Sequence, residues 1–228
     1  MKVFLTGASR GIGLFLTKSL NIKGYQVFGT YNSTLPDETL DAQLSKVDVT
    51  IHTEVSEWVH SNSNVGDKII AINCAGTNYN AFAHKADATQ WKNVIDVNLM
   101  GSFNMINNVL PIMRESGYGR IINFSSIVAQ KGIPGTSAYA TSKSALWGLS
   151  KSIAVENANK GITINNLNLG YFDIGMISDV PEHILDGITK SIPSKALGDP
   201  QNILKAVMFL IENDYLNGTS LDINGGLF

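Results

Sequence analysis

The chain has 228 residues, 44% hydrophobic and 16% charged, which is apolar enough to bury a sizeable core and excludes a disordered chain. Lys and Arg total 17 against 19 Asp and Glu, a formal charge of -2, and Arg10, Arg114 and Arg120 are scattered, so no basic stripe exists to track a nucleic acid. The single cysteine, Cys74, precludes an internal disulfide, no apolar run approaches the ~18 residues of a membrane span, and Val3-Phe4-Leu5 is too short for a signal peptide; a cytoplasmic protein with no membrane partner and no metal is expected.

Lys2 to Thr6 is a short β-branched and aromatic run, followed at once by Gly7-Ala8-Ser9-Arg10-Gly11-Ile12-Gly13. Leu14, Leu16, Leu20 and Ile22 then predict a helix. Strand, glycine turn and helix in that order form the context a dinucleotide site requires. The turn lets the main chain approach a pyrophosphate, and the helix start offers unpaired N–H groups and a positive dipole end. The spacing is G-x-x-x-G-x-G and differs from the general G-x-G-x-x-G fingerprint. Tyr25 to Tyr31 is the second strand, and its end, Thr30-Tyr31-Asn32-Ser33, lacks the carboxylate that usually binds a free ribose diol. The first acid beyond it is Asp37, and Arg10 is available to a 2'-phosphate. Both features favour NADP over NAD. Lys46 to Thr50 is predicted as a brief third strand, with Asp48 at its end either to accept from an adenine amine or to cap the next helix.

A helix over residues 51–63 and a strand over 68–72 lead to Asn73-Cys74-Ala75-Gly76, small residues against which a cofactor can lie. The next helix, 90–110, carries Asn98, which if buried must be hydrogen-bonded, for structure or for a water relay. Residues 120–124 form the fifth strand and deliver Ser125 and Ser126; 161–167 form the sixth. The long connection 171–200 predicts a lid, in which Ile184, Ile188 and Ile192 recur at helical spacing, as packing or as the lining of an apolar pocket. A helix over 202–211 and a strand over 218–223 close the chain. This βαβ alternation predicts one α/β domain, 1–228, with a parallel sheet and helices on both faces.

Tyr139 and Lys143 stand four apart in a proline-free run from Ser137 to Asn159 and share a helix face. Free tyrosine titrates near pH ~10. A fixed cation favours phenolate and lowers that value, which makes the phenol a usable acid/base. Ser126 supplies a hydroxyl able to polarise a carbonyl. A Tyr-Lys pair alone is equally an ordinary solvated helix face, and gains meaning only beside a cofactor site.

Taken together, Thr6-Gly7-x-x-x-Gly11-x-Gly13, Asn73-Cys74-Ala75-Gly76, Asn98, Ser126, Tyr139-x-x-x-Lys143 and the terminal Asn224-Gly225-Gly226 resemble the short-chain dehydrogenases/reductases over essentially the whole chain. The resemblance implies a doubly wound, seven-stranded Rossmann fold. In it Tyr139 would protonate the carbonyl oxygen and Lys143 would hold the nicotinamide ribose and lower the tyrosine pKa. Ser126 would bond the substrate oxygen, and Asn98 would hold a helix bend and a water. It further implies cofactor contacts at Gly7, Ser9, Arg10, Gly11, Ile12, Gly13, Asn32, Asp48, Val49, Asn73, Ala75, Gly76, Gly170 and Phe172, besides Tyr139 and Lys143. Three positions depart from the family pattern: Leu169 before Gly170 in place of proline, Ile174 in place of a threonine, and Cys74 in place of asparagine.

Within the family, the glycine turn and the Ile192-Pro193...Gly198-Asp199-Pro200 stretch look most like 3-oxoacyl-(acyl carrier protein) reductases. That implies NADPH, a β-ketoacyl thioester possibly borne on acyl carrier protein, and a homotetramer or dimer paired through the helices beginning near Gln90 and Ser137. Gly117 stands where such reductases often carry a basic residue, which leaves Lys160 and Lys131 as candidates to meet an acidic carrier. Two other readings compete: an NAD(P)-dependent dehydrogenase of a sugar, steroid or small ketone, and a dinucleotide sensor or scaffold without turnover, against which the retained Tyr139 and Lys143 argue.

Overall fold

The structure, a computed structural model, describes residues 1–35 and 42–227; Asp37 lies outside them. Seven parallel strands form one sheet in the order β3-β2-β1-β4-β5-β6-β7. They are β1 (Lys2–Thr6), β2 (Gln26–Tyr31), β3 (Gln43–Lys46), β4 (Ile69–Asn73), β5 (Gly119–Ser126), β6 (Ile162–Leu169) and β7 (Ser220–Ile223). The strand order reverses between β1 and β4, so the crevice for a ligand opens outside the carboxyl ends of those strands. β4, β5 and β6 are buried along their whole length, as parallel strands covered on both faces must be.

One face packs on α1 (Gly11–Ile22) and α7 (Pro200–Glu212) through Val3, Leu5, Ile70, Ile72, Ile122, Phe124 and Leu167 against Leu16, Leu20, Ile203, Val207 and Leu210. The other packs on α2 (His52–Asn62), α4 (Gly101–Ser116) and α5 (Ser137–Asn157), where Phe4, Ile69, Ile121 and Ile164 meet Val55, Trp58, Met105, Ile106 and Val109. Removing the apolar surface of these two layers from water is the dominant stabilising term. No helix among the described residues is long and apolar enough to cross a membrane.

Three elements differ from the sequence expectation. The third strand ends at Lys46, because the Asp48 carboxylate captures both the N–H and the hydroxyl of Thr50, at 2.9 and 2.7 Å, and folds 48–50 into a turn. The helix expected over 90–110 is two helices, α3 (Ala88–Ile95) and α4, joined by a π-helical segment, Asp96–Met100, and α4 runs on through Pro111. The long connection holds a 3-10 turn, Gly175–Asp179, and α6 (Glu182–Ser191). Of the stripe in that connection, Ile192 is buried while Ile184 is 48% exposed, so it packs at one end only.

Candidate active site

β1 ends at Thr6 and the chain turns at Gly7 with a φ of 70°. A Cβ on Gly7 would lie 2.8 Å from Ala75 Cα, and one on Gly13 would lie 1.9 Å from the Gly7 oxygen, so both positions exclude any side chain. The Thr6 hydroxyl accepts the N–H groups of Cys74 and Ala75, each at 3.2 Å, and binds the β1 turn to the end of β4. Ser9 is buried, Arg10 is exposed at the cap of α1, and Gly11 and Ile12 lie against Gly175 at the start of the lid. No side chain caps α1, so its first N–H groups remain for a ligand. A nicotinamide dinucleotide fits this floor of bare backbone, whose close approaches any Cβ would block.

Toward the adenosine end, Asn32 and Asp48 line one cavity beside β3 and α2. One Asp48 oxygen is engaged in the Thr50 turn. Its N–H donates to Glu54 Oε2 at 2.8 Å. Val49 is buried, its carbonyl accepts from Asn104 Nδ2 at 2.9 Å, and its side chain abuts Gly101.

The four residues of the expected tetrad converge at the carboxyl ends of β4 and β5. Ser126 ends β5, and its hydroxyl accepts the Val128 N–H at 3.2 Å. Lys143 is buried; its Nζ donates to the Phe124 carbonyl at 2.7 Å and lies 5.6 Å from the Tyr139 ring centroid. Asn98 is fully buried in the π-helical segment. Both of its amide hydrogens are used, on the Thr77 carbonyl and the Ser142 hydroxyl at 3.0 Å each, and its oxygen accepts the Thr77 N–H at 2.8 Å. Its side chain thus fixes the bend and ties the β4 turn to α5, with no N–H to spare for a water. Gly76 closes the floor, since a Cβ there would meet Asn98 Oδ1 at 3.4 Å and Lys143 Nζ at 3.6 Å.

Electrostatically, burial governs the pair. It pushes the Tyr139 phenol up to about 12, with the Ser126 hydroxyl pulling the other way through a hydrogen bond and Cys74 adding to the rise. Burial likewise pushes the Lys143 ammonium down to about 8, opposed by Cys74. In the protein by itself the phenol thus moves in the direction opposite to the lowering expected from a neighbouring lysine, because burial outweighs the Ser126 hydrogen bond.

At the nicotinamide end, Gly170 donates its N–H to the Ile223 carbonyl at 2.9 Å, and a Cβ there would strike Asn224 Cα at 2.7 Å. Phe172 is buried in the α7 layer against Gly198, so only its main chain is left to meet a cofactor. Leu169 and Ile174 pack in the same layer; the departures at these positions are answered by core contacts. Among the described residues no cluster of His, Cys, Asp and Glu gathers to hold a metal.

Lys160 is not on the site's rim. It and Gly117 lie in turns that enter β6 and β5 at their amino ends, side by side: a Cβ on Gly161 would lie 2.3 Å from the Gly117 oxygen. β6 spans eight residues, which puts the tetrad ~25 Å away at the other edge of the sheet. Gly117 is itself the left-handed cap of α4, a conformation a basic residue would adopt only under strain. Lys131 lies five residues past Ser126, on the site's side.

A feature the motifs do not announce is the seat of α5. On the sheet face beneath it, polar residues sit in rows across neighbouring strands. Asn73, Asn123, Asn166 and Ser220 form one row, and Ser125, Asn168 and Asp222 the next. Asn73 Nδ2 donates to Asn123 Oδ1 at 2.8 Å, Asn123 Nδ2 to Ser150 Oγ at 3.0 Å, and Ser150 Oγ to Asn166 Oδ1 at 2.9 Å. In the second row Trp147 Nε1 donates to Asn168 Oδ1 at 3.0 Å and Ser125 Oγ at 3.2 Å. The signal in the sequence is the period-two placement of Asn166 and Asn168 in β6 and of Asn123 and Ser125 in β5.

A family model described as enoyl-(acyl carrier protein) reductase matches residues 7–228. An acetoacetyl-CoA reductase of Rhizobium meliloti (strain 1021) is 35% identical over 235 residues, covering 98% of this chain and 97% of that protein. The chain belongs to the short-chain dehydrogenase/reductase family. A 3-oxoacyl-(acyl-carrier-protein) reductase of Haemophilus influenzae is 32% identical over 233 residues, 98% of this chain and 96% of that protein. Among solved structures, that of a putative gluconate dehydrogenase from Agrobacterium tumefaciens superposes with a TM-score of 0.90 at 25% identity, over 99% of this chain and 95% of that one. This short-chain dehydrogenase/reductase is an NAD(P)-dependent oxidoreductase, similar to the 3-oxoacyl reductases, and its chemistry is carbonyl reduction.

Proposed function

We propose that the enzyme reduces the carbonyl of a 3-oxoacyl thioester to a secondary alcohol with NADPH. The observation that carries the reading is the convergence at the carboxyl end of β5, where the Ser126 hydroxyl bonds the half-buried Tyr139 phenol and the buried Lys143 Nζ stands 5.6 Å from its ring. Desolvation keeps that phenol protonated, the form a donor to a reduced carbonyl needs. The bound nicotinamide would supply hydride. Ser126 would hold the substrate oxygen, Tyr139 would give it a proton, and Lys143 would hold the ribose from behind. Asn98 would orient the helix that carries Tyr139 and Lys143.

The lid supports an acyl chain over a polyol, because Met176 and Ile184 expose apolar side chains there, at 55% and 48%. Acetoacetyl-CoA reductase and 3-oxoacyl carrier-protein reductase are also the names of two relatives similar over nearly the whole chain. NADPH is favoured because Asn32-Ser33, which follow β2, offer no carboxylate, with Arg10 at the cap of α1. A homo-oligomer is proposed through α4 and α5, whose outer faces show Phe103 and Val155 at 38% and 86% exposure. The test is consumption of NADPH and of NADH with acetoacetyl-CoA, beside a panel of ketones and keto-sugars. Turnover of the thioester with NADPH well above every other pairing is expected. Preference for NADH, or for a keto-sugar, would overturn the cofactor or the substrate assignment respectively.

A further inference from the structure

Asp222 lies on β7, the edge strand, with its side chain exposed, where a carboxylate is ordinarily no more than a solvated surface group. Its contacts say otherwise. Oδ1 accepts from Gln130 Nε2 at 2.8 Å and from Asn168 Nδ2 at 2.7 Å. Gln130 ends the 3-10 turn, Ile127–Ala129, that Ser126 begins, and the same turn is held from the other side by the Ser144 hydroxyl on the Ala129 carbonyl at 3.1 Å. Asn168 passes the connection inward through its oxygen to Trp147 Nε1. Trp147 also reaches Ser125 Oγ, which donates to the Lys143 carbonyl at 3.0 Å. Tyr139, Lys143 and Trp147 recur every four residues on α5 and so share one helix face.

We propose that Asp222 is a positioning residue for catalysis, whose single oxygen sets the turn after Ser126 and the helix bearing Tyr139 and Lys143 in one register. The proposal rests on the carbonyl-reductase reading. The carboxylate touches neither substrate nor cofactor; it acts through Gln130 on one side and through Asn168 and Trp147 on the other. Both halves of the proton-delivery pair are thereby referred to one point at the sheet edge. An exposed edge residue contributes little to global stability, whereas a small displacement of reacting groups is costly to rate. Loss of Asp222 should therefore appear chiefly in turnover per folded molecule, with a modest loss of stability from stranding the buried Asn168 amide.

The test compares Asp222→Ala with Asp222→Asn, which keeps an oxygen able to accept from both partners. Thermal midpoint, NADPH affinity by fluorescence, kcat and KM for the best carbonyl of the panel, and hydrogen exchange of the tryptophan indoles are measured. Asp222→Ala should lower kcat per folded molecule about tenfold while KM and NADPH affinity stay within about twofold and the thermal midpoint falls by no more than a few degrees. Exchange at the Trp147 indole should accelerate, with Trp58 and Trp91 as unchanged internal references. Asp222→Asn should behave as the native protein in every readout. An unchanged kcat in Asp222→Ala, an equal loss in Asp222→Asn, or an unchanged Trp147 indole would overturn the proposal. If the native enzyme reduces none of the carbonyls, the functional reading fails separately. The Trp147 indole then decides alone: faster exchange in Asp222→Ala supports the positioning role, and unchanged exchange overturns it.

Discussion

The two halves of the sheet seat their helices by different means. In the half around β1 and β2, glycine main chain forms the surface, and α1 is seated by Leu16 and Leu20, both fully buried in an apolar layer. In the half around β5, β6 and β7, α5 is seated on rows of asparagine and serine. Apolar packing is non-directional and tolerates small shifts, whereas a hydrogen-bonded row keeps its bonds in one register only. A nucleotide gripped by backbone shape needs only the right absence of side chains; a proton donor must stand at a fixed distance from one atom.

The sharpest break between the halves is Tyr139→Phe, expected to lower turnover by roughly 10^3-fold and to leave NADPH binding intact. Single-turnover kinetics beside a fluorescence titration measure both. Next, Leu16→Ala in the nucleotide half should cost ~3 kcal/mol of stability, with kcat per folded molecule unchanged, as denaturant unfolding and active-site titration would show. Asn166→Leu in the chemical half should cost ~1–3 kcal/mol by stranding Ser150, Asn123 and Ser220, and here kcat should fall as well. Equal kinetic behaviour of those two variants would erase the distinction.

Stability against pH gives a quieter signal. Lys143, pushed from 10.5 down to about 8, has released its proton in the folded chain over a window where the unfolded chain still binds it. Stability should therefore rise with pH from about 8 to 10.5. Tyr139, pushed from 10.0 up to about 12, keeps a proton that the unfolded chain has lost, so its contribution is fully present below 10.0 and fades toward 12. Urea midpoints taken across this range should lose the rise in Lys143→Met and the fade in Tyr139→Phe. The smallest effect expected concerns the carrier: Lys131→Glu should raise KM for a carrier-borne substrate a few-fold, about 0.5–1 kcal/mol, and Lys160→Glu should not change it.

Much of this was legible in the residues because backbone demands are local. Gly7 and Gly13 stand where a Cβ cannot, and the alternation of apolar runs with helical spacing fixed a doubly wound sheet. What escaped was set by partners distant in sequence. The third strand slid because Val47 and Val49 look like strand residues, while the Asp48 carboxylate binds Thr50 and ends the pairing. Lys160 looked available to the site until the direction of β6 placed it at the opposite edge. The phenol's ordinary value was expected to fall because a cation stands near, but how far the two groups are desolvated is a property of the assembled fold. Trp147 and Asp222 belong to no motif, and only the register of three strands brings them to Asn168.

The segment joining α3 to α4 has one consequence beyond its hydrogen bonds. An α-helix advances about 100° per residue, so a π-helical turn is a rotation inserted between two otherwise collinear rods. Shortening Asp96–Met100 by one residue would let α3 and α4 fuse into a single, more regular helix. It would also swing Asn98 away from Thr77 and Ser142 and uncouple the floor of the cleft from α5. The irregular turn is an angular spacer: its worth lies in the direction in which one side chain points, and a better helix would make a worse enzyme.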